Sequence, residues 1–168
     1  QGYREVADPS AFLKLPLLED AHPNTALLVW TTTPWTLPSN QFAAVNPEID
    51  YAIVHEEPAG EKLIVARDLV DRLSEQFKCE WTIESITPGK ALVGLQYQPP
   101  YDSLRSAGGV ASWKVVPADF VTTDSGTGLV HIAPAFGEDD YQILQRERDS
   151  GGEAALPLIH CVGSDGKF

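Results

Sequence analysis

The sequence predicts a mostly β domain with two or three helices. Short apolar runs recur along the chain, most of them four to eight residues long and bounded by Pro, Gly, Asn or Asp, which is the signature of strands between turns. Thirteen Gly and thirteen Pro supply the turns. Only two segments carry apolar residues at helical spacing.

In chain order, strands are expected over 12–18, 26–32, 51–55, 62–66, 80–86, 91–97, 112–116, 128–132 and 156–162. The run Ala26-Leu27-Leu28-Val29 is apolar without alternation, so that strand should be buried on both faces. A helix is expected over 67–77, with Leu69, Leu73 and Phe77 on one side. Residues 98–109, opening with Pro99-Pro100 and closing with Gly108-Gly109, read as a long surface loop. A second helix is expected over 138–148. Its first turn is Glu138, Asp139 and Asp140, and its last turn holds Arg146 and Arg148, which complements the helix dipole. Tyr141 and Leu144 should form its apolar side.

At 168 residues the chain reads as one domain, 1–168, large enough to bury a core. It contains no Met and reads as an insertion cut from a longer protein. A net charge of −12 is wrong for gripping a phosphate backbone, because affinity for nucleic acid comes from Lys and Arg. No stretch is apolar enough for a membrane span, and the N-terminal residues do not read as a signal peptide, so a cytoplasmic setting is expected. Cys79 and Cys161 are accordingly expected as reduced thiols. His22, His55, His131 and His160 show no paired spacing and there is no Cys-x-x-Cys, so no metal and no cofactor are expected.

Two segments concentrate the chemistry. The first is Trp30-Thr31-Thr32-Thr33-Pro34-Trp35-Thr36-Leu37-Pro38-Ser39-Asn40, where a strand runs out into hydroxyls and Pro34 stops it. Hydroxyls at a strand end can donate or accept without carrying charge, which suits a small polar ligand. The second is Gly126-Thr127-Gly128-Leu129-Val130-His131-Ile132-Ala133-Pro134-Ala135-Phe136-Gly137-Glu138-Asp139-Asp140-Tyr141, which carries a strand His and an acidic helix start.

Together these segments resemble the editing domain of isoleucyl-tRNA synthetase, the large insertion in the catalytic fold of the class I synthetases. Tyr3 to Ser10 and Gly163 to Phe168 resemble the borders of that insertion. Where the valyl and leucyl branches have an arginine after the threonine pair, this chain has Thr33, followed by Pro34-Trp35, as in the isoleucyl branch. The resemblance implies a β-barrel-like core. It also implies hydrolytic proofreading of misactivated valine, acting on valyl-tRNA(Ile) and on valyl-adenylate. The partners would be the acylated 3′ end of tRNA(Ile) and the remainder of the parent synthetase, with the fragment itself monomeric.

The resemblance likewise implies the site. Asp140 would bind the α-ammonium of the aminoacyl group. His131 would line the side-chain pocket as a steric gauge, with the general base left open. Thr31, Thr32, Thr33, Trp35 and Asn40 would form the opposite wall, Thr33 positioning water, and Asn40 would bond a carbonyl or the ribose. Gly126 and Gly128 would let the terminal adenosine approach the backbone. Two other readings compete. Asp124-Ser125-Gly126-Thr127 fits the Asp-Ser/Thr-Gly-Ser/Thr pattern of aspartic proteases, with a dimer supplying the second aspartate. A non-catalytic module docking the tRNA 3′ end is the other, and the acidity argues against it.

Overall fold

The computed structural model describes residues 9–106, 111–151 and 156–167. It is mostly β. The strands are β1 (Ala11–Pro16), β2 (Thr25–Thr31), β3 (Phe42–Val45), β4 (Asp50–Glu56), β5 (Glu61–Ala66), β6 (Trp81–Pro88), β7 (Lys114–Pro117) and β8 (Leu129–Ile132). The helices are α1 (Val70–Phe77), entered through a 3-10 turn at Arg67–Leu69, the single-turn α2 (Gly89–Leu92) and α3 (Glu138–Gly151). Further 3-10 turns lie at Pro34–Ser39 and Asp102–Ser106.

The strand order is β6-β4-β5-β2-β8-β3-β7, with β1 antiparallel to β2. β2 is the hinge of this arrangement. One of its edges pairs with β1 along its length. The other edge forks: Thr25 to Leu27 run parallel to β5, and Trp30 pairs in parallel with Val130 of β8. Strands shared in this way are buried, which explains the unbroken apolar run at its centre. Beyond the fork, β8, β3 and β7 follow one another, and Gln96 and Tyr97 bridge β7 back to Leu17 just after β1. The ring β2-β8-β3-β7-Gln96/Tyr97-β1 therefore closes on itself, and closure removes unpaired edges. β4, β5 and β6 continue from the fork as an open wing.

Two apolar clusters fill the structure. The larger contains Leu27, Val29, Tyr51, Leu63, Leu73 and Leu129 under α1, and the smaller contains Phe42, Val116, Ile132, Ile143 and Leu144 under α3. Tyr51 is wholly buried and ties β4 to the approach of β8. Its hydroxyl donates to the Gly128 carbonyl at 2.6 Å and accepts the Asn46 N–H at 3.0 Å. Burial pushes this phenol up to about 12.

Several sequence expectations need correction. Residues 91–97 do not form a strand: α2 fills Gly89–Leu92, Gly94 turns at φ +93°, and only 96–97 make bridges. Residues 156–162 make no strand. Side chains satisfy their backbone instead, with Gln41 Nε2 donating to the Pro157 carbonyl at 2.8 Å and Ser39 Oγ accepting the Cys161 N–H at 3.1 Å. β3 is the strand that the sequence reading lacks. The apolar face of α3 is Ile143 and Leu144, while Tyr141 is 39% exposed. The expected loop over 98–109 holds a 3-10 turn, and its end at 107–109 lies outside the described residues, as do residues 1–8 and Phe168 of the expected borders. Both cysteines are free. Among the described residues no helix is long and apolar enough to cross a membrane.

Gly128 combines a left-handed backbone with a close approach. It sits at φ +78°, and a Cβ there would lie 2.4 Å from the Ala66 Cβ. Gly60, at φ +68°, has open space around the same position. Gly60→Ala should therefore cost about 1 kcal/mol, the left-handed penalty alone. Gly128→Ala should cost roughly 2–4 kcal/mol, because Ala66 must also move. Urea denaturation of the two variants measures the difference, and equal losses would contradict this packing.

Candidate active site

The site forms where β2 and β8 end side by side. Because Trp30 pairs with Val130 in parallel, Thr31 and His131 are the next residues of two neighbouring strands, close to the ends of both. After Thr31 the chain turns at once: Pro34 opens the 3-10 turn Pro34–Ser39, its fixed φ and missing N–H fitting a first helical position. After Ile132 the chain passes through a short turn into α3, whose third residue is Asp140. Asp140 Oδ2 accepts the Ala133 N–H at 2.8 Å, so the carboxylate is folded back against the end of β8.

Asp140 is half-buried, and this desolvation raises its pKa above the ordinary value, partly offset by the Ala133 N–H and reinforced by the neighbouring Asp139. Such a carboxylate gains from a cationic partner. Glu138 and Asp139 are exposed on the same first turn.

A hydroxyl cluster stands at the end of β2. Thr32 and Thr33 are exposed, and Thr31 is buried. Thr31 Oγ1 accepts the Thr33 N–H at 3.1 Å and lies 3.4 Å from Thr33 Oγ1. Thr33 Oγ1 lies 3.2 Å from Thr36 Oγ1, and Thr36 Oγ1 lies 2.9 Å from His131 Nε2. Trp35 projects from the turn with 51% of its surface exposed.

His131 is only 6% exposed. Its Nδ1 is 2.8 Å from Asn40 Nδ2 and its Nε2 is on Thr36, so both ring nitrogens are engaged inside the protein. Burial pushes its pKa down to about 4, and the ring is neutral at physiological pH. With neither nitrogen free towards solvent, the ring is unsuited to act as a general base. It fills space and braces the Thr cluster.

Asn40 departs furthest from expectation. It is completely buried, and its amide is spent on the Phe42 carbonyl at 3.1 Å, on His131 and on the Tyr97 hydroxyl at 2.8 Å. It cannot reach a substrate, so its predicted contact with a carbonyl or ribose gives way to an internal one. Tyr97 and Trp113 were not singled out from sequence. Trp113 Nε1 donates to the Asn40 carbonyl at 3.1 Å. Nothing in the sequence marks either aromatic, since both meet Asn40 only through the closure of the barrel.

The two glycines also receive internal explanations. A Cβ on Gly126 would lie 2.7 Å from the Trp30 ring, and Gly128 packs on Ala66. Both precede β8, whereas the hydroxyl cluster and Asp140 lie past its other end. The aspartic-protease pattern falls on a surface connector. Asp124 is exposed, and Arg72 holds the turn by donating to the Asp124 and Gly126 carbonyls at 3.1 and 3.2 Å. Among the described residues no group of His, Cys, Asp and Glu could hold a metal ion.

No family model matches the chain. It is, however, 38% identical over all of its 168 residues to isoleucine–tRNA ligase of Bdellovibrio bacteriovorus, and 40% identical over the same length to that of Bacillus thuringiensis. Along its entire length the chain is thus similar to one segment of the isoleucine–tRNA ligases. It spans only 15% of the length of those relatives. Its fold agrees: the cytosolic leucyl-tRNA synthetase editing domain of P. knowlesi superposes with a TM-score of 0.68 at 15% identity, over 83% of this chain and 63% of that one. The corresponding P. falciparum domain gives 0.60 at 16% identity, over 75% and 47%.

The His131 environment has a measurable consequence. An unfolded chain takes up the imidazole proton near 6.5 and the folded ring only near 4, so between those values the unfolded state binds more protons. Stability should therefore fall as pH drops from about 6.5 to about 4, by up to about 3 kcal/mol from this group. NMR titration of the His131 ring protons checks the cause. A midpoint near 4 is expected, and a midpoint above 6 would contradict the buried, internally bonded ring.

Proposed function

We propose that this domain proofreads aminoacylation by hydrolysing valine wrongly esterified to tRNA(Ile), and valyl-adenylate, as the second sieve of an isoleucyl-tRNA synthetase. The proposal rests on the placement of the Thr33 hydroxyl just past the end of β2 and of Asp140 just past the end of β8, two strands that run parallel, with His131 of β8 bonded to the Thr cluster. Identity of 38–40% along the whole chain to isoleucine–tRNA ligases supports it.

The chemistry follows from the parts. An aminoacyl ester brings an ammonium, and the desolvated Asp140 carboxylate is its partner. Pairing the two fixes one end of the amino acid and aims its carbonyl at the hydroxyls. Water then adds its oxygen to the acyl carbon, the acyl C–O bond breaks, and the ribose oxygen or phosphate departs with the remaining proton. No covalent enzyme intermediate is required. Selectivity is the reason for such a site. One methylene separates isoleucine from valine and is worth about 1–3 kcal/mol in a single pocket; isoleucyl-tRNA synthetase is a standard illustration of that limit. A second pocket sized by a rigid, buried imidazole multiplies the discrimination. The acidic surface fits a domain that meets only the acylated end, with the rest of the tRNA held by the remainder of the synthetase.

Asp140→Asn keeps the shape and can still accept the Ala133 N–H, but removes the charge. In the full-length synthetase carrying this domain it should slow valyl-tRNA deacylation by about 10²-fold or more, from the 2–5 kcal/mol typical of a charge pair broken on one side. Asp139→Asn should be milder. Deacylation at the wild-type rate in Asp140→Asn would sink the assignment.

A further inference from the structure

The hydrogen bonds behind the hydroxyl cluster have a determined direction. Asn40 sets it. Its Nδ2 lies 3.1 Å from the Phe42 carbonyl, which can only accept, so the amide cannot be turned the other way; the Tyr97 hydroxyl completes Oδ1 at 2.8 Å. The same Nδ2 faces His131 Nδ1 at 2.8 Å. A donor there requires a lone pair on Nδ1, which places the ring proton on Nε2. Nε2–H then donates to Thr36 Oγ1 at 2.9 Å.

Thr36 has one proton of its own, and the Thr33 carbonyl, 2.8 Å from Oγ1, takes it. Thr36 Oγ1 is left with lone pairs alone. The contact with Thr33 Oγ1 at 3.2 Å must therefore be donated by Thr33. The Thr33 hydroxyl thus spends its proton inward, and its side chain is exposed. The 3.4 Å contact with Thr31 Oγ1 is then donated by Thr31 and takes one Thr33 lone pair, and the second lone pair is what Thr33 presents to the site.

We propose that Thr36 and His131 are positioning residues that fix the Thr33 hydroxyl as a hydrogen-bond acceptor for the hydrolytic water. This rests on the editing reading above. A water that donates one O–H to Thr33 is held with its oxygen lone pairs free to face the acyl carbon. A Thr33 hydroxyl pointing outward would instead tie up those lone pairs. Tyr97, 1% exposed, contributes at one remove by holding Asn40.

Two measurements test this. Histidine 15N NMR of the chain should show His131 as a single tautomer with the proton on Nε2. Thr36→Val is isosteric and removes the relay hydroxyl, and Thr36→Ser restores it. In the full-length synthetase, Thr36→Val should lower kcat for valyl-tRNA deacylation by about 10- to 100-fold with KM unchanged, the range expected for a buried hydrogen bond broken on one side. Thr36→Ser should recover most of the rate. A proton on Nδ1, a full kcat in Thr36→Val, or a Thr36→Ser variant as slow as Thr36→Val would each overturn the relay. A wild type without deacylation would overturn the editing reading itself, which the His131 spectrum does not touch.

Discussion

One buried amide organises this domain. Asn40 is closed off from solvent, yet it bonds β3 through the Phe42 carbonyl, β8 through His131, the barrel-closing pair through Tyr97, and the approach to β7 through Trp113. A polar group buried this deeply is costly unless every donor and acceptor is met, and here the amide is satisfied on both ends. The same satisfaction makes it specific. Turning the amide, moving Tyr97 or protonating His131 each leaves an unpaired group in the interior. The hydroxyls at the end of β2 therefore rest on a support with one low-energy arrangement.

The remainder of the fold serves that support. β2 can present Thr31 beside His131 only because its edge forks between β5 and β8. Tyr97 reaches Asn40 only because the pair 96–97 closes the ring between β7 and β1. The segment over 156–162 is bonded to Ser39 and Gln41, with His160 stacked on Phe136 at 5.5 Å. It thereby joins the turn that carries the hydroxyls to the loop that leads to Asp140. Asp140 sits at this junction, and its partial burial raises its pKa above the ordinary carboxylate value.

Much of this was legible in the sequence, for stated reasons. The apolar run of β2 and the hydroxyls after it mark a buried strand ending at a polar mouth. The acidic first turn of α3 marks a helix start, and the pairing of these two motifs marks the family. Other features were not legible. β3 is four residues long and centred on Ala43-Ala44, too short and too small-sided to stand out from a loop. The run over 156–162 has the composition of a strand, but Gln41, Ser39 and Arg148 satisfy its backbone in place of a neighbour. Asn40 looks like a polar residue on a turn, and only the barrel shows that it faces inward. Gly126 and Gly128 look like ligand-approach glycines, whereas Trp30 and Ala66 explain them.

The central claim is that Asp140 and the Thr33 hydroxyl receive the two ends of an aminoacyl ester over a buried His131. A crystal structure of the domain with a non-hydrolysable valyl-adenosine ester analogue tests it most directly. The account predicts the ammonium within about 3 Å of the Asp140 carboxylate, the acyl carbonyl beside Thr33, and Asn40 with its internal bonds unchanged. A ligand bound with its ammonium away from Asp140, or contacted directly by Asn40, would contradict it.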